Sequence, residues 1–113
     1  MTVLSKSNSE RIRELNDSFR QSFVGGRVVL TQGVDALSAE VKAEVLKCVR
    51  NFDRFDHDND PHGEHDFGNF EVAGQRFFFK IDYYDLEMEG GSEDPADPTK
   101  TTRVLTVMKA EEY

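Results

Sequence analysis

Apolar residues spaced three or four positions apart predict two amphipathic helices, of which the first begins near Ser7. Ser7 and Glu10 have capping-box spacing ahead of an apolar face. That face carries Ile12, Leu15, Phe19 and Phe23. We expect the helix to end at Gly25-Gly26, where the second glycine can adopt the positive φ of a helix terminator.

The second helix is predicted from about Asp35 or Ser38 to Phe52. Its apolar positions repeat at a spacing near 3.6, at Leu37, Val41, Val45, Cys48 and Phe52. Cys48 therefore lies on the inward stripe, where a thiol is normally inert, so we do not assign it as a catalytic nucleophile. As the single cysteine it cannot form an intramolecular disulfide, which is typical of a reducing compartment.

Four segments have the residue types and the alternation of β-strands. Residues 27–31 are apolar on both faces, which predicts a strand buried on both sides. Residues 67–72 and 75–84 alternate and are joined near Ala73-Gly74, so they should form a hairpin. Residues 103–109 supply the last strand. The element order is thus helix, strand, helix, strand, strand, strand.

The strand at 75–84 indicates how sheet and helices pack. One face carries Phe77, Phe79, Ile81 and Tyr83, and the other carries Phe78, Lys80, Asp82 and Tyr84. The larger apolar face should lie against the helices. Pairing of consecutive strands then predicts a two-layer α+β sandwich, with two helices on one face of a mainly antiparallel four-stranded sheet. We expect a single domain over residues 1–113, with residues 1–8 as a disordered tail.

The acidic charge is concentrated in the middle of the chain. The net charge is −8, and residues 53–97 hold 14 acidic side chains against three basic ones. Such a field disfavours direct binding of nucleic acid, whose phosphates require Lys and Arg, and favours a protein partner with a basic surface. No apolar stretch is long enough for a bilayer and no leader pattern opens the chain, so we expect a cytoplasmic protein without membrane contact.

The segment 53–66 lacks both hydrophobic periods and is predicted to be a loop. It holds every histidine of the chain, interleaved with carboxylates, which are ligands that Zn, Mn, Fe or Ni accept. The candidate metal ligands are His62, His65 and Asp60, with Glu64 as a candidate general base. Standard sites do not match: an EF-hand is excluded by Pro61 at its sixth position, and the spacing of the histidines is neither HExxH nor HxxEH.

A purely structural interpretation of the same segment stays open. Asp and Asn ahead of Pro61-His62-Gly63 are turn formers whose side chains bond nearby backbone amides, and His65 and Asp66 would cap the next strand. A second acidic loop follows at 85–100. The candidate partner-binding residues on the two loops are Asp58, Asp60, Glu87, Glu89, Glu93 and Asp94.

Six sequence segments carry a resemblance to a known family. They are LNDSFR, GGRVVLTQGV, DNDPHGEHDFG, FFKIDYYD, DPADP and RVLTVMKAEEY, in that order. From about Leu15 to Tyr113 the chain resembles domain of unknown function 3768, a family of small bacterial proteins. The resemblance implies an accessory protein, carried in some cases on mobile elements, and it assigns no activity and no functional residues.

Two classes of function fit these observations. The first is a non-enzymatic binding module that occupies a basic site on a protein partner, for example a mobile-element inhibitor of a nucleic-acid-handling or defence protein. It needs no cofactor, and it follows from the acidic middle segment together with the lack of a complete catalytic motif. The second is a metal-dependent hydrolase-like enzyme that uses the loop DNDPHGEHD, with Glu64 activating water.

Overall fold

The computed structural model describes residues 6–113, so most of the predicted tail, residues 1–5, lies outside the described residues. In the rest of that predicted tail, Ser7 is the N-cap of the first helix and Asn8 is its first residue, so the helix begins inside the segment that was predicted to be disordered. The elements are α1 (Asn8–Ser22), β1 (Arg27–Leu30), α2 (Gln32–Asp35), α3 (Ala39–Asn51), β2 (Phe67–Val72), β3 (Gln75–Tyr84), β4 (Thr102–Lys109) and a final 3₁₀ turn (Ala110–Glu112). The chain is therefore α+β.

The four strands form one mixed sheet in the order β1-β4-β3-β2. The pairs β2/β3 and β3/β4 are antiparallel, which confirms the predicted pairing of consecutive strands. The strand β1 lies parallel to β4, a partner that is far away in sequence. The two-layer arrangement with both helices on one face stays a prediction.

The hairpin of β2 and β3 has the predicted bounds and turn. Ala73 (φ 53°) and Gly74 (φ 77°) are its two loop residues, and both have the positive φ of a type I′ turn. Phe77, Phe79 and Ile81 on β3 are buried, as their alternation predicts. Local sequence signals were sufficient here because a two-residue hairpin is specified by its turn and its pleat.

The predicted end of α1 is wrong in its mechanism. Phe23, not Gly26, takes the left-handed conformation (φ 60°), and its N–H donates to the Phe19 carbonyl oxygen at 2.6 Å. Gly26 has a different role, because a β-carbon there would lie 2.5 Å from the carbonyl oxygen of Arg103. The glycine thus permits the chain after α1 to approach the start of β4 closely.

The expectation that β1 is buried on both faces is also wrong. Its residues alternate between exposed and half-buried, and Val29 keeps 44% of its surface exposed. The reason is that β1 is an edge strand, so only Val28 and Leu30 pack against the core. A run of apolar residues predicted the strand correctly but not its position in the sheet.

The second long helix begins at the later of its two predicted starts, Ser38 rather than Asp35. Ser38 caps α3, and its hydroxyl accepts from the N–H of Val41 at 3.2 Å. Asp35 instead ends α2, a single helical turn that follows β1.

The core combines side chains of both long helices with those of β3 and β4. Phe19 from α1, Val45 and Val49 from α3, and Phe79 and Leu105 from the sheet belong to one buried cluster. Within residues 6–113, no helix has the length and apolar character that crossing a membrane requires.

Candidate functional site

The two acidic loops leave the sheet at the same end. The first acidic loop, residues 53–66, leads into the start of β2. The second acidic loop, residues 85–100, follows the end of β3 and is separated from β4 by Thr101 alone. Because β3 runs antiparallel to both neighbours, the start of β2, the end of β3 and the start of β4 are adjacent. Each loop holds six acidic side chains and one Lys or Arg, so this end of the domain is strongly negative.

The helix α1 contacts both loops. Arg13 donates to the Gly63 carbonyl oxygen at 3.3 Å, within the first loop. Leu15 lines a shallow depression together with Ala96 and Pro98 of the second loop. The helix therefore positions both loops relative to each other.

A buried polar network connects this helix to the sheet and the loops. Asn16 is fully buried, and its amide donates to the Glu64 carbonyl oxygen (2.9 Å) and to the Tyr83 hydroxyl oxygen (2.8 Å). The Asn16 side-chain oxygen accepts from Arg103 Nε at 2.9 Å, and Arg103 also donates to the Pro95 carbonyl of the second loop. The network thus joins both acidic loops through buried side chains.

Glu64, the candidate general base, belongs to that network. Its carboxylate accepts from the Tyr83 hydroxyl at 2.8 Å. Burial raises the pKa of Tyr83 well above its ordinary value, so the phenol stays protonated and remains a donor. The structure therefore uses the Glu64 carboxylate to satisfy a half-buried hydroxyl.

The structure confirms that the Asp side chains ahead of Pro61 and Gly63 form turns in the first acidic loop. Asp56 Oδ1 accepts from the backbone N–H groups of Asp58 (2.9 Å) and Asn59 (3.0 Å). Asp60 Oδ1 accepts from the N–H groups of Glu64 (3.0 Å) and His65 (3.1 Å). Asp60 is only 7% exposed, so it lies inside the loop, whereas Asp58 is exposed.

His65 occupies a constrained position next to two carboxylates. Its Nδ1 lies 2.9 Å from Asp17 Oδ1, its Nε2 lies 3.7 Å from Asp60 Oδ2, and its ring stacks on Phe55 at a centroid distance of 3.8 Å. His62 is exposed. A cavity of about 450 Å³ is lined in part by His57, His62, His65, Asp56 and Asp60.

The candidate metal ligands are thus near one another, but a complete site is not preformed. Across residues 6–113, no group of three or more His, Cys, Asp or Glu side chains has an arrangement that could hold a metal ion. Like charges do accumulate here: burial, with the nearby Glu64 and Asp60 carboxylates, raises the pKa of Asp66.

The second acidic loop presents its glutamates on a hydrogen-bonded backbone. Glu87, Glu89 and Glu93 are exposed, whereas Asp94 is half-buried and accepts from the Ala96 N–H at 3.2 Å. The backbone N–H of Asp85 donates to the Gly90 carbonyl oxygen at 2.9 Å, which closes the loop.

Arg20 and Asp17 were missed by sequence reasoning. Arg20 is 1% exposed and donates to the carbonyl oxygens of Val49 (3.0 Å) and Phe52 (2.9 Å), at the end of α3. It also pairs with Asp17 at 2.9 Å. The available signal was position, because Arg20 follows the buried Asn16 by four residues on the apolar face of α1.

Cys48 is half-buried, and burial raises the pKa of its thiol, with Glu44 as a smaller cause. A thiol that stays protonated is a poor nucleophile. This agrees with the inert role expected from its place on the apolar stripe.

The fold and the site define a small α+β domain with a mixed four-stranded sheet and two acidic loops fixed at one end. Residues 30–112 match the model of the family described as Protein of unknown function (DUF3768), and the chain belongs to that family. The resemblance inferred from the six sequence segments is thereby confirmed. Searches of the curated proteins and of the solved structures gave no match.

Proposed function

We propose that this protein is a non-enzymatic binding module whose acidic end attaches to a basic surface of a protein partner. The observation that carries the proposal is the convergence of two loops, separated in sequence by the β2–β3 hairpin, at one end of the sheet. Charges of one sign gathered on one surface steer oppositely charged partners and select against like-charged ones.

Rigidity supports a binding role. The exposed glutamates Glu87 and Glu89 lie on a loop closed by the Asp85 N–H, and Asp85 Oδ1 also accepts from the Glu89 N–H at 2.9 Å. The first loop is fixed in the same way by Asp56 and Asp60. Loops that are already ordered lose less conformational entropy on binding, which favours affinity.

The partner proposed is a nucleic-acid-handling protein, because such proteins present clusters of Lys and Arg that neutralise phosphates. An acidic module on that surface competes with the nucleic acid. A mobile-element inhibitor of a host defence protein acts in this manner, and this is the particular role we propose.

The hydrolase alternative has less support. The Glu64 carboxylate is engaged by Tyr83, and Asp60 Oδ1 is engaged by two backbone amides. A general base must reach the water that it activates, and these contacts compete with that reaction.

The test is charge reversal with a matched control. One variant replaces Glu87, Glu89 and Glu93 with Lys. The control replaces three exposed glutamates elsewhere, Glu40, Glu44 and Glu111, with Lys, so both variants have the same net charge.

Binding to the partner recovered from the source organism is measured by biolayer interferometry. We expect the loop variant to bind about tenfold more weakly, mostly through a slower association rate, and the control to bind within about twofold of the parent. Raising the salt concentration from about 0.05 to 0.5 M should weaken binding of the parent protein to its partner, because exposed charges are screened. Equal losses in both variants would show that only net charge matters and would refute a specific acidic surface.

A further inference from the structure

The second acidic loop exposes two large apolar side chains among its glutamates. Leu86 keeps 56% of its surface exposed, and Met88 keeps 36%. Single exposed apolar residues are ordinary on a protein surface. These two, however, lie two positions apart and alternate with Glu87 and Glu89 at the acidic end of the domain. The loop therefore presents apolar and negative groups on the same short segment.

Hydrogen bonds hold this segment in one conformation. The Asp85 N–H donates to the Gly90 carbonyl oxygen at 2.9 Å, and the Met88 N–H donates to the Asp85 carbonyl oxygen at 3.1 Å. Tyr84 and Gly91 form a β-bridge at the base of the segment. Both apolar side chains are therefore carried by an ordered backbone, and their exposure is a property of the folded loop.

Met88 has a backbone conformation that is costly for a residue with a side chain. Its φ is 60°, in the left-handed region that favours Gly or Asn. A residue held in such a conformation points to a function, because the surrounding structure has to compensate for the strain. The methionine side chain is also flexible and polarizable, and it is common on surfaces that bind other proteins. Both properties of Met88 favour a contact with a partner.

The acidic surface needs apolar contacts to form a long-lived complex. Exposed charges mainly raise the association rate and contribute little to affinity. Large side chains buried at the centre of an interface contribute most of the binding energy. The one basic residue of the second acidic loop, Lys100, lies 3.5 Å from the Glu93 carboxylate, so Glu87 and Glu89 remain as the charges beside the apolar pair.

We propose that Leu86 and Met88 are the apolar anchors of the partner interface, and that they bind an apolar patch ringed by Lys and Arg on the partner protein. This inference rests on the proposed function and adds the residues that supply its affinity. Glu87 and Glu89 match the positive ring in charge, and the same carboxylates repel a second copy of this chain. A basic protein surface with an apolar centre is therefore the occupant.

The probes are two synthetic peptides of about 18 residues, or five helical turns, with equal positive charge. One consists of Lys and Leu and presents an apolar stripe flanked by Lys, and the other has Gln in place of Leu. Binding of each peptide to the immobilised full chain is followed by biolayer interferometry at about 0.15 M salt. We expect the parent to bind the Lys/Leu peptide at least about tenfold more tightly, through slower dissociation.

Two variants remove the apolar groups, and a control changes an exposed apolar residue elsewhere. Leu86→Ala truncates the first anchor, and Met88→Asn removes the second while suiting the left-handed conformation. Each should bind the Lys/Leu peptide about fivefold more weakly than the parent and the Lys/Gln peptide within about twofold of it. The control Val29→Thr, on the edge strand β1, should bind both peptides as the parent does. Circular dichroism checks that all three variants are folded.

The outcomes separate this inference from the proposed function. Equal binding of both peptides by the parent, with no loss in Leu86→Ala and Met88→Asn, overturns the anchor role and leaves the acidic surface standing. Unchanged binding of both peptides after reversal of Glu87, Glu89 and Glu93 to Lys refutes the acidic surface itself, and the inference falls with it. A parent that is dimeric in light scattering and becomes monomeric on Leu86→Ala also overturns the proposal, because a second copy would then cover these residues.

Discussion

Replacing the charged and buried side chain of Arg20 with Met should destabilise the fold strongly. The substitution keeps the length of an apolar stem and removes the guanidinium. The Phe52 and Arg50 carbonyl oxygens, to which Arg20 donates at 2.9 and 3.3 Å, would then lack this partner at the end of α3. The Val49 carbonyl oxygen would also lose Arg20, but it still accepts from the Phe52 N–H at 3.4 Å. Asp17 would lose its 2.9 Å ion pair, but it is partly exposed and can bind water instead.

The magnitude follows from weighing these losses. Each carbonyl left without a partner in the interior costs about 1–3 kcal/mol. A smaller gain opposes this, because Arg20 Nε is buried and has no hydrogen-bond partner among residues 6–113, and removing it relieves about 1 kcal/mol. The expected net loss in the free energy of unfolding is about 3 kcal/mol, near the lower limit for breaking a buried ion pair.

Urea denaturation followed by circular dichroism measures this difference, with linear extrapolation to water. Arg11→Met is the matched control, because Arg11 is an exposed arginine on the same helix, and it should change stability by no more than about 0.5 kcal/mol. A loss below about 1 kcal/mol for Arg20→Met, or an equal loss for both variants, would refute the capping role of Arg20.

Three further changes test other parts of the structure. Gly68→Ala should lower the free energy of unfolding, measured in urea, by about 1–3 kcal/mol, because the added β-carbon would lie 2.3 Å from the Phe79 ring. Gly74→Ala should lower it by about 1 kcal/mol, because of the positive φ of Gly74 alone. The reverse order would contradict the packing around Gly68. The pKa of Glu112 lies below its ordinary value, mainly because the Thr31 hydroxyl donates a hydrogen bond to its carboxylate. The contribution of Glu112 to stability is therefore present above the ordinary glutamate pKa and is lost as the pH falls through the lowered pKa. Thermal denaturation should therefore show Glu112→Gln to be destabilising near neutral pH and the difference to shrink in acid; a difference that grows in acid would disprove the assignment.

Local sequence signals determined most of the secondary structure. The capping residues Ser7 and Ser38 start the two long helices, and Gly74 forms the hairpin turn. These features were predictable because each depends on residues within a few positions of one another, through capping hydrogen bonds, periodicity and φ preferences. The turns of the first acidic loop were predictable for the same reason, since Asp56 and Asp60 bond amides two to five residues away.

The candidate site depended on contacts that no local pattern encodes. Asn16 meets Arg103 across 87 positions of sequence, and His65 meets Asp17 across 48. Polar residues on an apolar stripe are buried only if partners arrive from elsewhere, and the partners are set by the packing of α1 against the loops and the sheet.

The sequence by itself therefore determined the two long helices, the hairpin, the family and the acidic character of the two loops. Only the tertiary structure decided that β1 pairs in parallel with β4 at the edge of the sheet, that both acidic loops meet at one end, and that Asp60 is buried while Glu87 is exposed. The physical reason is that strand order and burial are properties of the whole chain, fixed by which distant surfaces leave water together, whereas turns and caps are satisfied within a few residues.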